Sequence, residues 1–190
     1  MNTVTVRNVE IGAGMPKICV PIVGETREDI LAEARAIREL PADLVEWRVD
    51  FLNNVSSLSL LTVLTFLSEL RNELGDLPLL FTFRTKREGG EKSISPQAYE
   101  ELYKSILSSG LIDLIDVELF LGRDIVSRLV AKAHEHGVAV IASNHDFKRT
   151  PPKEDILDRL EEMQELGADI AKIAVMPEST QDVEVLMDAT

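Results

Sequence analysis

Six short apolar runs alternate with longer amphipathic stretches along this chain, and that alternation leaves few folds open. The runs are 17–23 (KICVPIV), 44–52 (LVEWRVDFL), 78–85 (PLLFTFRT), 114–120 (LIDVELF), 138–143 (VAVIAS) and 170–176 (IAKIAVM). Their length and their β-branched and aromatic residues predict strands. Helix-like stretches lie between them near 26–40, 57–74, 96–109, 122–136 and 153–167, and a sixth starts near 179. Thr26 followed by Asp29, and Ser95 before Pro96, are expected N-terminal caps. Gly110, Gly137 and Gly167 fall where helices should stop. Ile156, Leu160, Met163 and Leu166 make an apolar stripe on one helix face.

Six βα units with short connections predict a parallel sheet with crossover helices. An open doubly wound sheet and a (β/α)8 TIM barrel both fit that order, and the strand patterning favours the barrel. Central strands of an open sheet tend to be apolar on both faces. Here Glu46, Arg48 and Asp50 alternate with Val45, Trp47 and Val49; Thr82 and Arg84 with Phe81 and Phe83; Asp116 and Glu118 with Ile115, Val117 and Leu119. Lys172 lies between Ala171 and Ile173. A period of two sends the apolar set toward the helices and the charged set inward, near the strand ends where barrel enzymes place their sites. The segment from Thr3 to Ile11, with Gly12 and Gly14 after it, is expected to form a hairpin closing the opposite end. Six units are two short of a closed barrel, a difference of about 60 residues at about 30 per unit. The expectation is one barrel domain over 1–190 that lacks the last two βα units.

A net charge of −13 argues against a nucleic-acid partner, which needs a concentrated basic surface, although a few arginines can still hold a small anion. The single cysteine, Cys19, cannot build a disulfide framework or a thiolate zinc site, and is expected to be a small core residue of its strand. No apolar segment approaches the roughly 20 residues that cross a bilayer, and no basic stretch followed by an apolar block opens the chain. A cytoplasmic protein without a membrane partner is therefore expected.

Lys172 is the most informative residue. A lysine in a buried strand is costly to keep charged, and a neutral amine attacks ketones to form imines. The alternative is a lysine paired with a carboxylate that only holds the barrel together. His145, at the end of the fifth strand in Ser143-Asn144-His145-Asp146-Phe147, shifts the balance toward chemistry. Imine reactions need a group that takes an α-proton and protonates a leaving hydroxyl near neutral pH. His134 and His136 are expected at a helix C-terminus, with no third ligand spaced for a metal. After the third strand, Gly89-Gly90 suggests a flexible loop through which substrate passes. Beside Arg84 and His145, Glu88 becomes a candidate orienter of the histidine.

Four motifs in order on successive strands carry a resemblance. They are Glu46-Trp47-Arg48-Val49-Asp50, Phe81-Thr82-Phe83-Arg84-Thr85 with Glu88-Gly89-Gly90, Ser143-Asn144-His145-Asp146-Phe147, and Lys172-Ile173-Ala174-Val175-Met176-Pro177. In these the chain resembles the type I 3-dehydroquinate dehydratases of the shikimate pathway, over essentially all its residues. The resemblance implies a (β/α)8 barrel, commonly a homodimer, that uses neither metal nor organic cofactor. It implies dehydration of 3-dehydroquinate to 3-dehydroshikimate through a Schiff base between Lys172 and the C3 ketone. His145 would remove the C2 proton, help protonate the leaving C1 hydroxyl and assist imine formation and hydrolysis, with Glu88 orienting it. Glu46, Arg48 and Arg84 would contact the ring hydroxyls. In that family the last two βα units supply an arginine for the substrate carboxylate and a mobile loop with Ser and Gln. This sequence stops before both, so it is expected to be weakly active or inactive, and prone to associate through an unclosed sheet edge. Two rival readings are another Schiff-base barrel enzyme, such as an aldolase, and a non-catalytic barrel-derived binding module.

Overall fold

The computed structural model describes residues 3–53 and 59–190. A two-stranded antiparallel hairpin, β1 (Val4–Val6) and β2 (Val9–Ile11), comes first. Six parallel strands follow: β3 (Cys19–Ile22), β4 (Leu44–Arg48), β5 (Leu79–Thr82), β6 (Leu114–Glu118), β7 (Ala139–Asp146) and β8 (Ile170–Val175). The helices are α1 (Arg27–Ile37), α2 (Leu60–Leu74), α3 (Pro96–Leu107), α4 (Arg123–Glu135), α5 (Lys153–Glu165) and α6 (Thr180–Ala189). The strands pair in chain order from β3 to β8, the order of a barrel wall rather than of a doubly wound sheet. The wall curls into a half-barrel. Lys172 on β8 reaches Asp116 on β6 across β7, and Arg84 beyond β5 reaches Ser143 on β7 across β6. Residues 57 and 58 of the expected second helix lie outside the described residues.

The expected caps form. The Thr26 hydroxyl accepts the Asp29 N–H at 3.2 Å, and the Ser95 hydroxyl accepts that of Ala98 at 3.2 Å, with Pro96 opening the helix. Ser179 and Asp182 close a capping box at the start of α6. The expected division of faces also holds. Val45, Trp47, Phe81, Ile115, Val117 and Val140 join the buried apolar faces of α1 to α4 in one core. A smaller cluster of Val6 with Leu44, Leu80, Leu114 and Ile141 seats the hairpin on the strands' N-terminal ends, as expected.

One device recurs at that end. Asp43, Asp113 and Asp169 stand immediately before β4, β6 and β8, and each accepts a backbone N–H at the start of the neighbouring strand: Ile18, just ahead of β3, at 2.7 Å, Leu79 at 2.8 Å and Val140 at 2.8 Å. Asp113 also takes the Nε–H of Arg7 at 2.6 Å, which ties the hairpin down, and an Nη1–H of Arg71 at 2.9 Å.

Candidate active site

Register decides which side chains meet. Ser143 pairs with Lys172 and His145 with Ala174, so Ser143, His145 and Lys172 share the concave face of adjacent strands. Glu46, in register with Pro21 and Leu80, faces the same side from β4. His145 Nδ1 lies 3.1 Å from Glu88 Oε2, which also accepts the His145 backbone N–H at 3.0 Å. A carboxylate can only accept, so Nδ1 carries the proton and Nε2 keeps its lone pair for chemistry. Glu88 is itself fixed: Asn144 Nδ2 donates to its other oxygen at 3.4 Å, and Arg159 of α5 donates to the Asn144 side-chain Oδ1 at 2.8 Å.

Beneath these groups lies a buried charged layer. Asp116 is fully buried, with the Ser143 hydroxyl donating to Oδ1 at 2.5 Å, Arg84 Nη2 2.8 Å from Oδ1 and Lys172 Nζ 3.4 Å from Oδ2. Burial opposes its charge, but Arg84, Lys172 and the Ser143 hydroxyl together hold its carboxyl below the usual range. Arg84 also donates to Ser143 Oγ at 2.9 Å and Glu118 Oε1 at 3.3 Å. Burial works against the guanidinium's charge, yet Asp116 and Glu118 outweigh it and raise its proton affinity. Glu118 is pushed above the ordinary carboxylate range, first by burial and then by Glu88, although the Thr85 hydroxyl and N–H donate to it at 2.6 and 2.7 Å. Tyr99 and Tyr103 donate from behind to the Asp116 backbone carbonyl at 3.1 and 2.7 Å, which fixes this part of β6.

Arg48 is held by Asp50, whose two oxygens accept its Nε–H and an Nη2–H at 2.9 Å each. Strand β4 ends at Arg48, so Asp50 does not continue its alternation. Asp50 sits in a turn of 3-10 helix at Val49–Phe51, fully buried, and also accepts the backbone N–H groups of Arg84 at 3.2 Å and Glu91 at 3.1 Å.

Three expectations are corrected. Gly89-Gly90 is not a loose loop. The turn is closed by N–H bonds from Glu88 and Gly90 to the Thr85 carbonyl at 3.0 and 2.9 Å, and any Cβ on Gly90 would overlap the Arg84 carbonyl. Gly89, at φ +85°, lies against the Phe147 ring. Lys172 is only half-buried, its side chain 38% exposed, because β8 ends the strand order and has one neighbour among the described residues. Cys19 is exposed for the same reason on β3, at the other end of the order. Its thiol still faces the concave side, where partial loss of water around the sulfur and then the charge of Glu46 push it up to about 12.

All six residues singled out in the sequence belong to this face or its support. Lys172, His145 and Glu88 form one group, Arg84 is buried beneath it, and Arg48 and Glu46 stand on β4. Asp50 and Asn144 stood in the sequence motifs without an assigned role, and Arg159 escaped sequence reasoning. Asn144 at least adjoins His145, whereas nothing on α5 marks Arg159. His134 and His136 lie at the end of α4, bonded to Asp169 at 2.9 Å and to the Lys132 carbonyl at 3.0 Å, away from the site.

Residues 18–190 match the family model described as type I 3-dehydroquinase. The chain belongs to the type I 3-dehydroquinase family. A 3-dehydroquinate dehydratase of Syntrophotalea carbinolica is 54% identical over 190 residues, all of this chain and 74% of that protein. The type I 3-dehydroquinate dehydratase of Clostridium difficile, solved with covalently modified comenic acid, superposes with a TM-score of 0.96 at 53% identity. That match covers 99% of this chain and 74% of the other. Membership in the type I 3-dehydroquinase family makes the chain an enzyme of the hydro-lyase class. An archaeal fructose-1,6-bisphosphate aldolase, at TM-score 0.52 and 19% identity over 73% of this chain and 53% of that one, shares the fold alone.

Proposed function

We propose that the chain dehydrates 3-dehydroquinate to 3-dehydroshikimate through an imine between Lys172 and the C3 ketone. The observation that carries this reading is the shared concave face of Lys172 and His145, with the histidine's Nδ1 committed to Glu88 and its Nε2 free. The imine draws electrons from C2. His145 Nε2 takes the C2 proton, the C1 hydroxyl leaves as water with a proton returned by His145, and hydrolysis frees the product and the amine. Glu88 sets the imidazole's tautomer and direction. Glu46, Arg48 and Arg84 hold the ring hydroxyls, since guanidinium groups donate several hydrogen bonds in fixed directions.

Borohydride added to the chain with 3-dehydroquinate should leave a reduced adduct on the Lys172 peptide, detected by mass spectrometry; its absence from Lys172 would sink the imine. His145→Ala should lower turnover by about 10²–10⁴, the usual worth of a general acid–base group. A non-catalytic binding module would tolerate that change.

We further propose that the 190 residues act as one barrel-type domain, in the cytoplasm and as a homodimer. Among the described residues no helix is long and apolar enough to cross a membrane. Sedimentation velocity of the purified chain tests the dimer.

A further inference from the structure

Three carboxylates lie buried around the Lys172 amine and His145, and their partners differ. Glu88 is taken up by His145 and Asn144. Glu118 has one oxygen on Thr85 N–H and Arg84 and the other on the Thr85 hydroxyl. Asp116 alone divides itself between the support and the chemistry. Oδ1 is held by Arg84 and Ser143, and Oδ2 faces Lys172 Nζ at 3.4 Å. Its backbone is pinned by two tyrosine hydroxyls, so the carboxylate cannot follow the lysine if the lysine moves.

We propose that Asp116 is a positioning residue for the dehydration: it aims the Lys172 amine at the substrate and remains as counter-ion of the iminium formed there. The inference rests on the Lys172 imine proposed above. When the neutral amine and the ketone combine, an N–C bond forms and the carbonyl C–O bond breaks. The oxygen leaves as water with one of the nitrogen's two protons and one delivered by His145, and the N–H that remains carries the positive charge of the iminium. A positive charge therefore develops beside Oδ2 during the step. A fixed opposite charge stabilises the iminium while it waits for His145 to act. Arg84 and Ser143 keep that charge from being lost by protonation.

The test uses the 190-residue chain, 3-dehydroquinate and borohydride, and reads the fraction of Lys172 trapped. Asp116→Asn keeps the shape and loses the charge, and should lower trapping about tenfold or more, the scale of one opposite charge at this range. Ser143→Ala removes a hydrogen bond from the same carboxylate and leaves its charge, so trapping should fall by less than about threefold. Binding of the substrate analogue with a hydroxyl in place of the ketone should likewise change by less than about threefold in Asp116→Asn. Trapping unchanged in Asp116→Asn, or analogue binding lost in parallel with it, overturns the counter-ion. Should Asp116→Asn fail to fold, Asp116→Glu keeps the charge but displaces it by one methylene, and should lower trapping about tenfold while analogue binding changes by less than about threefold. Trapping unchanged in Asp116→Glu also overturns the proposal. A wild-type chain that shows no Lys172 adduct overturns the imine itself, and with it this inference.

Discussion

Glu118 and Glu100 are both buried carboxylates, yet they tie the stability of the fold to pH with opposite signs. Glu118 is raised above its ordinary value by burial and by Glu88. The folded protein then holds that proton more tightly than the unfolded chain, and stability is lost as pH rises from the ordinary carboxylate range through the folded value. Glu118→Gln removes that loss. In urea unfolding, the difference between variant and wild type should move in the variant's favour from pH 4 to pH 7. Glu100 is lowered to about 2, first by the hydrogen bond from Arg128 and then by that from Lys104. Its contribution is complete above the unfolded value and disappears as pH falls toward 2. Glu100→Gln should therefore cost stability at neutral pH and little at pH 2. The neutral-pH cost is about 1 kcal/mol or less, because both cationic partners stand half in solvent. Neither sign can be read from the sequence: it shows that a carboxylate alternates with apolar neighbours, and not which cations the fold brings to it.

The elements themselves were largely legible. Strand order, helix positions and the inward face follow from a period of two, a period near 3.6 and caps, all of which are local. The runs 44–52 and 114–120 read too long because they pass into 3-10 turns at Val49–Phe51 and Leu119–Leu121. Apolarity does not separate a strand from the buried turn that follows it. The closed Gly89-Gly90 turn was missed because its tightness depends on Arg84 and Phe147, one of them 57 positions away from Gly90 in the chain. Gly90→Ala should unseat Glu88, so that the His145 imidazole loses its fixed tautomer in nitrogen-15 NMR spectra; an unchanged tautomer would contradict the role given to this turn. The aspartates before β4, β6 and β8 make a second test. Asp113→Ala removes the partner of a buried Arg71 together with a backbone bond, and should cost about 2–3 kcal/mol in urea unfolding. Asp43→Ala, which removes one backbone bond, should cost about 1 kcal/mol.

At the scale of the molecule, the six-strand order has two ends, β3 and β8, each hydrogen-bonded to one neighbour among the described residues. Unpaired parallel edges invite further pairing. Sedimentation of the 190-residue chain should therefore show the proposed dimer associating further as concentration rises; a dimer alone at every concentration would support the dimer and contradict edge pairing. The same open ends explain why Lys172 and Cys19 are less covered than their apolar neighbours in sequence imply. The hairpin at the other end has a different consequence, one of timing. Arg7 leaves the ribosome long before the carboxylate that anchors it, because Asp113 follows 106 positions later. Contacts so distant in the chain form late, after the intervening loop has been closed by other structure. The hairpin is therefore made well before it can find its place, and until β6 has joined the sheet it has nothing to close.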